Sequence, residues 1–199
     1  MPHRACHVVA ALVAAWLVGV GAMPARADTV FIAPSSHAAF SVRVLWLKHV
    51  RGRFDTVYGS VDWSRKRRQG VVHAWIDVAS ARMDDADTRR RLLGPEFLDA
   101  TTYPGILFAS DPLGLHVLRQ GGAVHGRLHM HGMTRPVTFT LQASNCRRPA
   151  TTPCTLRLHG SVKRSRFGIT AHRALVSDRV QLDLVIRLAP AAGAHQIRP

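Results

Sequence analysis

Apolar and polar residues alternate along most of this chain, and the alternation predicts its fold. A period of two is typical of strands with one buried and one solvated face, as found in antiparallel sheets. Turn-forming residues separate the runs, so the pattern predicts eight or nine strands in series. The apolar positions that define the buried faces are Phe40, Val42 and Val44; Val72, Ala74, Ile76 and Val78; Leu128 and Met130; Val137, Phe139 and Leu141; Leu156, Leu158 and Val162; and Val180, Leu182, Leu184 and Ile186.

One segment departs from this pattern and predicts a short helix. Acidic residues come first between Asp84 and Leu98, three arginines follow at 89–91, and Gly94 stands where the helix would end. Many strands with a single inserted helix favour a closed up-and-down barrel, because closure removes exposed sheet edges. A two-sheet sandwich is the alternative architecture.

Residues 1–27 have the features of a secretory signal peptide. Residues 8–22 are uncharged and rich in Ala and Val, and Ala25–Ala27 has the A-x-A form of a cleavage site. A membrane anchor is the alternative, but the apolar run is short for a bilayer span. We therefore expect one domain at residues 28–190 in the periplasm and a flexible tail at residues 191–199.

The chain is strongly basic. Its formal net charge is +15, and loss of residues 1–27 would remove Arg4 and Arg26 but no acid, which leaves +13. A charge of this size attracts anions. Export excludes nucleic acid as a partner, so an anionic membrane surface, a polyanionic envelope component or an acidic ligand headgroup remains. A generally basic proteome is the alternative explanation, and a homodimer also stays open.

Cys146 and Cys154 are the two cysteines that remain after residue 27. In an oxidising compartment an isolated pair at this short separation predicts a disulfide across the base of a loop. A redox-active pair usually has C-x-x-C spacing, which this pair lacks.

The polar faces offer little chemistry. His125, His129 and His131 share strand parity and would project from one outer face, where partners on neighbouring strands could complete a zinc or copper site. Surface histidines are usually unliganded, so we expect no metal. Asp77 and Asp183 are predicted to be isolated and outward, which does not favour catalysis. The sequence predicts a binding protein with no catalytic residues and no cofactor.

Five short motifs, spread in order over residues 36–188, resemble the YceI-like family. The resemblance implies an eight-stranded, antiparallel, lipocalin-like barrel with one short inserted helix. It also implies a long apolar cavity that holds a polyisoprenoid chain, of the type found in prenyl pyrophosphates and ubiquinone. The motifs are Phe40-Ser41-Val42; Lys48–Phe54; Phe97–Ala100 with Tyr103-Pro104 and Phe108; Gly126–Val137; and Arg164–Ile169.

Three positions depart from the family pattern. His37-Ala38 stands where the family usually has His-Ser, Arg89-Arg90 where it has Arg-Asp, and Arg166 where it has an acid. Two acidic positions have thus become arginine near the expected cavity. We expect a ligand headgroup or partner surface that differs from the family's usual one.

The resemblance changes the interpretation of the apolar face. Such residues could equally fill a solid barrel core, whereas the family's interior is open. The predicted cavity residues, chosen by parity or by their place in a motif, are Phe40, Val42, Phe54, Ile76, Phe108, Leu128, Phe139 and Leu182. The predicted headgroup residues are Arg89, Arg164 and Arg166, because arginine pairs well with phosphate.

Two functions are compatible with these features. The first is a periplasmic carrier or scavenger that holds a polyisoprenoid lipid or an isoprenoid quinone. The second is a basic envelope adaptor that docks to an anionic membrane or to a membrane cytochrome, with a purely structural barrel.

Overall fold

A computed structural model describes residues 28–64, 66–147 and 152–190. The predicted signal peptide at residues 1–27 and the predicted tail at residues 191–199 lie outside the described residues.

Most of the regular secondary structure in the described chain is β-strand. Two helices are present, α1 (Ala86–Leu93) and α2 (Leu115–Gln120), together with 3₁₀ turns at Val78–Ser80 and Arg164–Phe167. The strands are β1 (Asp28–Ile32), β2 (His37–Val44), β3 (Lys48–Phe54), β4 (Val57–Ser64), β5 (Gln69–Asp77), β6 (Ala81–Arg82), β7 (Gly105–Ser110), β8 (Leu113–Gly114), β9 (Gly122–Met130), β10 (Met133–Leu141), β11 (Cys154–Lys163) and β12 (Val176–Pro190).

Eight of these strands form a closed antiparallel barrel. The neighbours run β1-β4-β5-β7-β9-β10-β11-β12, and β12 pairs with β1 to complete the ring. The β2–β3 hairpin pairs with β12 beside this ring, and the short β6 and β8 pair with β3 and β5. The fold prediction is confirmed, and ring closure excludes the two-sheet sandwich.

Strand β12 has two partners on one of its sides. Its first part pairs with β2, from Val176 to Val185, and its last part pairs with β1 from Leu188 onward. Residues 33–36 separate β1 from β2 and interrupt the ladder that these two strands form with β12. The hydroxyl oxygen of Ser36 accepts a hydrogen bond from the Arg187 backbone N–H at 2.9 Å, which compensates for the missing ladder bond.

Helix α1 confirms the predicted inserted helix. The Asp85 carboxylate accepts a hydrogen bond from the Thr88 backbone N–H at 2.7 Å and caps the first turn, and Gly94 ends the helix. The second helix, α2, has six residues and was not predicted from the sequence. It begins directly after β8, within a segment whose Asp-Pro and Gly residues predict a turn.

Helix α2 covers one end of the barrel, which we call the closed end. Leu118 of this helix is 4% exposed. The Ser144 backbone N–H donates to the Arg119 carbonyl at 3.2 Å, so the strand-connecting segment after β10 is tied to α2. That segment ends at Cys146, which forms the predicted disulfide with Cys154 at a Cα–Cα distance of 5.4 Å. The disulfide prediction is confirmed.

The opposite end, which we call the open end, has no comparable cover among the described residues. It is surrounded by α1, by the β2–β3 turn and by the loop between β11 and β12. Interior residues here, such as Val44, Val50 and Val176, are only partly buried.

Candidate ligand cavity

The barrel encloses a cavity of about 430 Å³. This volume lies within the roughly 300–1,000 Å³ range of small-molecule sites. The inward faces of the strands supply an almost wholly apolar wall. Its only polar side chains among the described residues belong to Thr88, Arg91, Arg164 and His172, and no Asp or Glu contributes. The interior therefore suits an apolar ligand with a polar end.

All eight predicted cavity residues line this space. They come from seven strands, and the residues are Phe40, Val42, Phe54, Ile76, Phe108, Leu128, Phe139 and Leu182. Alternation identifies them because inward side chains recur at every second position. That they bind a ligand stays a prediction.

Glycines opposite phenylalanines help to keep the cavity open. Gly52 pairs with Phe40 across β2 and β3, and Gly160 pairs with Phe139 across β10 and β11. A Cβ atom on Gly52 would lie 2.5 Å from the Phe40 ring, and one on Gly160 would lie 2.7 Å from the Phe139 ring. Each ring therefore occupies the space above its glycine and fills less of the lumen.

Arg164 lies in the wall at the open end but is fully engaged in the fold. It is 4% exposed. Its guanidinium donates to the backbone carbonyls of Ile169, Ala171, Val176 and Ser177 at 2.7–3.3 Å. Burial lowers its pKa, and the charge of Asp178 opposes this effect. Arg164 thus holds the loop between β11 and β12 in place, which leaves it little capacity for a ligand.

The other two predicted headgroup residues do not line the cavity. Arg89 donates to the carbonyls of Ala81 and Ala79 at 2.6 and 2.9 Å. Arg166 is exposed in a shallow groove on the outer wall, where β10 and β11 separate. The structure does not bring Arg89, Arg164 and Arg166 together at the open end, and their headgroup role stays a prediction.

Besides Arg164, the polar side chains that line the cavity are those of Thr88, Arg91 and His172. Thr88, Arg91 and Leu92 line the cavity from one face of α1, because residues three and four apart share a helix face. This spacing is the signal that could have identified Arg91. His172 lies in an irregular loop, and no sequence pattern marks it.

His172 also joins the two sides of the entrance. Its Nε2 lies 3.2 Å from the Glu96 carboxylate, and its ring stacks on Phe97 with centroids 6.0 Å apart. The segment after α1 and the loop before β12 therefore contact each other beside the opening.

The outer histidines are occupied by local hydrogen bonds. Nδ1 of His125 lies 3.0 Å from the Thr138 hydroxyl, and that of His129 lies 2.9 Å from the Thr134 hydroxyl. His131 is not on the strand but in the β9–β10 turn, at φ 50°, so the expectation that it shares the strand's parity is wrong. Within the described ranges no group of three His, Cys, Asp or Glu residues could hold a metal ion.

No helix in the described part of the chain combines the length and apolar character needed to span a membrane.

Comparison with known proteins identifies the family. The profile of the YceI-like domain matches residues 31–188. The chain is 28% identical over 119 residues to a UPF0312 protein of Vibrio parahaemolyticus, which covers 57% of this chain and 61% of that relative. It is 30% identical over 91 residues to a UPF0312 protein of Pseudomonas putida, covering 45% and 47%. The chain thus spans at most about 61% of the length of these two curated relatives.

Solved structures share the barrel. BcnA of Burkholderia cenocepacia has a TM-score of 0.64 at 21% identity, covering 78% of this chain and 98% of that one. A polyisoprenoid binding domain from Saccharophagus degradans, implicated in plant cell wall breakdown, has a TM-score of 0.61 at 16% identity, covering 83% and 99%. At identities this low, the structural likeness shows a common fold. The family match over residues 31–188 shows that the chain belongs to the YceI-like domain family.

Proposed function

We propose that this protein is a periplasmic carrier or scavenger that holds a polyisoprenoid lipid or an isoprenoid quinone chain in its barrel. The observation that carries the proposal is the almost wholly apolar cavity with its few polar groups on α1 and the loop before β12. The polyisoprenoid binding domain from Saccharophagus degradans, which has the same fold, supports this ligand class.

The apolar wall provides the affinity for the chain. Burial of a CH₂ group stabilises a complex by about 0.8 kcal/mol, so a chain of several isoprene units gains enough to offset its lost freedom. No acid lines the wall among the described residues, so nothing there repels an anionic group. A binding protein needs affinity for its ligand but no catalysis. Among the described residues, the cavity lining contains no paired acid and base.

Arg91 is our candidate for the headgroup contact. It is exposed at the open end and lines the cavity, so it can reach both the solvent and the ligand. Its neighbour Arg90 contacts Asp87 instead and does not line the cavity. The disulfide supports an oxidising compartment, as the predicted signal peptide does.

Extraction of the purified protein tests the proposal. Organic extraction followed by mass spectrometry should recover a prenyl lipid from the wild type. Ala74→Trp should lower its content severalfold, because residue 74 faces the cavity. Ala109→Trp on the exposed face of the neighbouring β7 is the control, with circular dichroism to confirm folding. A folded Ala74→Trp variant with full lipid content would contradict the cavity proposal.

The headgroup is tested with two neighbouring arginines. Arg91→Ala should weaken binding of a prenyl phosphate by about tenfold, and Arg90→Ala should leave it unchanged, because only Arg91 reaches the cavity. Titration by intrinsic fluorescence measures both. Equal effects of the two substitutions would exclude a specific headgroup contact.

The basic envelope adaptor remains the alternative function. It predicts that extraction recovers no lipid and that a membrane cytochrome or an anionic surface binds the outside of the barrel. The charge of the chain supports this alternative, whereas the open interior does not.

A further inference from the structure

Three consecutive apolar residues project into solvent at the tip of the β2–β3 hairpin. Leu45, Trp46 and Leu47 are 56%, 79% and 89% exposed. Leu175, at 49%, lies beside them, since the Leu45 backbone N–H donates to the Leu175 carbonyl at 2.8 Å. We call these four residues the apolar tip. Elsewhere in the described residues, the exposed large apolar side chains Tyr58, Leu107 and Met133 lie on other strands.

The backbone of the tip adopts a conformation that these residues disfavour. Leu45 and Trp46 have φ values of 50° and 63°, and the Leu47 N–H donates to the Val44 carbonyl at 3.3 Å. The strand register pairs Val44 with Lys48, so residues 45–47 form a three-residue loop whose first two residues adopt the left-handed conformation that favours Asn and Gly. Bulky side chains are rare in this region and strain the backbone. The fold thus displays Leu and Trp at a conformational cost, which indicates a use for their exposure.

The hairpin that carries the apolar tip is basic. Residues 40–54 contain four basic residues and no acid. Arg43, Lys48 and Arg51 are exposed on the hairpin, and we call them the basic collar. Arg53 is paired with Asp55 at 2.7 Å and is not included. In an anionic bilayer, the apolar and aromatic side chains of the tip would enter the boundary between headgroups and acyl chains. The flanking cations would then lie at the level of the anionic headgroups.

The tip also lies at the entrance of the cavity. Val44 and Val50 flank the turn and line the cavity, and Leu175 and Val176, where the adjacent loop meets β12, line it too. A bilayer that receives the tip would therefore face the opening. A protein partner fits less well, since a convex turn of three residues offers far less than the roughly 800 Å² per partner of a stable protein interface.

We propose that the apolar tip and the basic collar dock the barrel, entrance first, on the surface of an anionic lipid bilayer. The docking proposal rests on the apolar tip and the basic collar and does not depend on the proposed function. Its purpose, exchange of a chain between bilayer and cavity, rests on the proposed function.

The decisive variant replaces the strained turn with a favourable one. Leu45→Asn with Trp46→Gly places residues that tolerate positive φ at both strained positions, so the fold should be at least as stable as the wild type. Co-sedimentation with equimolar phosphatidylglycerol and phosphatidylcholine vesicles should show at least tenfold weaker binding, because two apolar side chains no longer enter the interface. Leu107→Ser, which removes an exposed leucine from β7, is the matched control and should bind as the wild type does.

The collar has its own test. Arg43→Gln with Arg51→Gln should reduce binding to these vesicles severalfold and flatten its dependence on salt. Arg127→Gln on the exposed face of β9 is the control, with an equal loss of charge per substitution.

Three results would overturn the docking proposal. They are full vesicle binding by the folded Asn-Gly variant, an equal loss in Leu107→Ser, and a wild type whose tip mediates self-association in ultracentrifugation without vesicle binding. The prenyl-lipid content of each variant separates the two proposals. If extraction recovers no lipid while vesicle binding still depends on the tip, the carrier function fails and the docking surface stands.

Discussion

The two ends of the barrel are built from the same strands but are finished in opposite ways. At the closed end, α2 covers the interior, Leu113, Leu118 and Leu141 are buried, and a disulfide ties the segment after β10 to β11. At the open end, α1 and two loops leave leucines and a tryptophan in water, and one buried arginine organises the loop before β12. The comparison shows that the barrel strands form the wall of the cavity, whereas the helices and loops that connect them determine at which end the cavity is accessible.

The largest predicted effect concerns the arginine at the open end. Arg164→Met should lower the free energy of unfolding by roughly 3–5 kcal/mol, because four buried or partly buried backbone carbonyls lose their donor. Chemical denaturation measures it, and Arg166→Met, which removes an exposed neighbour, is the control. A loss below about 1 kcal/mol would show that the loop does not depend on Arg164.

The disulfide at the closed end should contribute less. Replacement of both Cys146 and Cys154 by Ala should lower the free energy of unfolding by about 2.5 kcal/mol, the entropy of closing so short a loop. Denaturation of the wild type with and without reductant gives an independent measure. Vesicle binding should be unchanged, since the apolar tip lies at the other end, and a loss of docking would mean that the two ends are coupled.

The smallest effect is a pH dependence at the open end. Burial alone would raise the pKa of Asp178, but hydrogen bonds from the backbone and hydroxyl of Ser165, and the charges of Arg164 and Lys163, hold the pKa below its usual value. A depressed folded-state pKa stabilises the protein above the unfolded value of about 3.9, and this stabilisation is lost as the pH falls through the folded value.

We therefore expect Asp178→Asn to cost about 1 kcal/mol at neutral pH. This difference from the wild type should shrink as the pH is lowered, when urea denaturation is compared at several pH values. Asp183→Asn, on the exposed face of β12, should show no such convergence. A constant difference for Asp178→Asn at all pH values would exclude the carboxylate charge as the cause.

Alternation predicted the inward residues because parity is a local property of a strand. Phe40, Leu128 and Phe139 follow from it directly. The volume of the interior does not follow from parity, since it depends on strand tilt and on which phenylalanine rings lie over glycines. Gly126 illustrates the limit: a Cβ there would meet the Ala109 carbonyl oxygen at 2.5 Å, although parity alone suggests room for a side chain.

Of the three predicted headgroup residues, only Arg164 lies among the polar groups that line the cavity. Arg164 is in the predicted segment and in the cavity wall, but the sequence does not show that its guanidinium N–H groups donate to backbone carbonyls. Arg91 follows from helical spacing, yet only once the orientation of α1 is known. Tertiary packing, rather than residue type, decides which arginine meets a ligand.

The double pairing of β12 constrains the order in which the barrel can form. This last strand closes the ring against β1, and Ser36 bonds to Arg187 across 151 positions of sequence. Until β12 is available, the edges of β1, β2 and β11 have no partner and can pair with other chains. Such long-range closure is typical of folding on a scale of milliseconds to seconds. A chain shortened before β12 would therefore lose more than one strand, because the edges of β1, β2 and β11 that β12 covers would all be exposed.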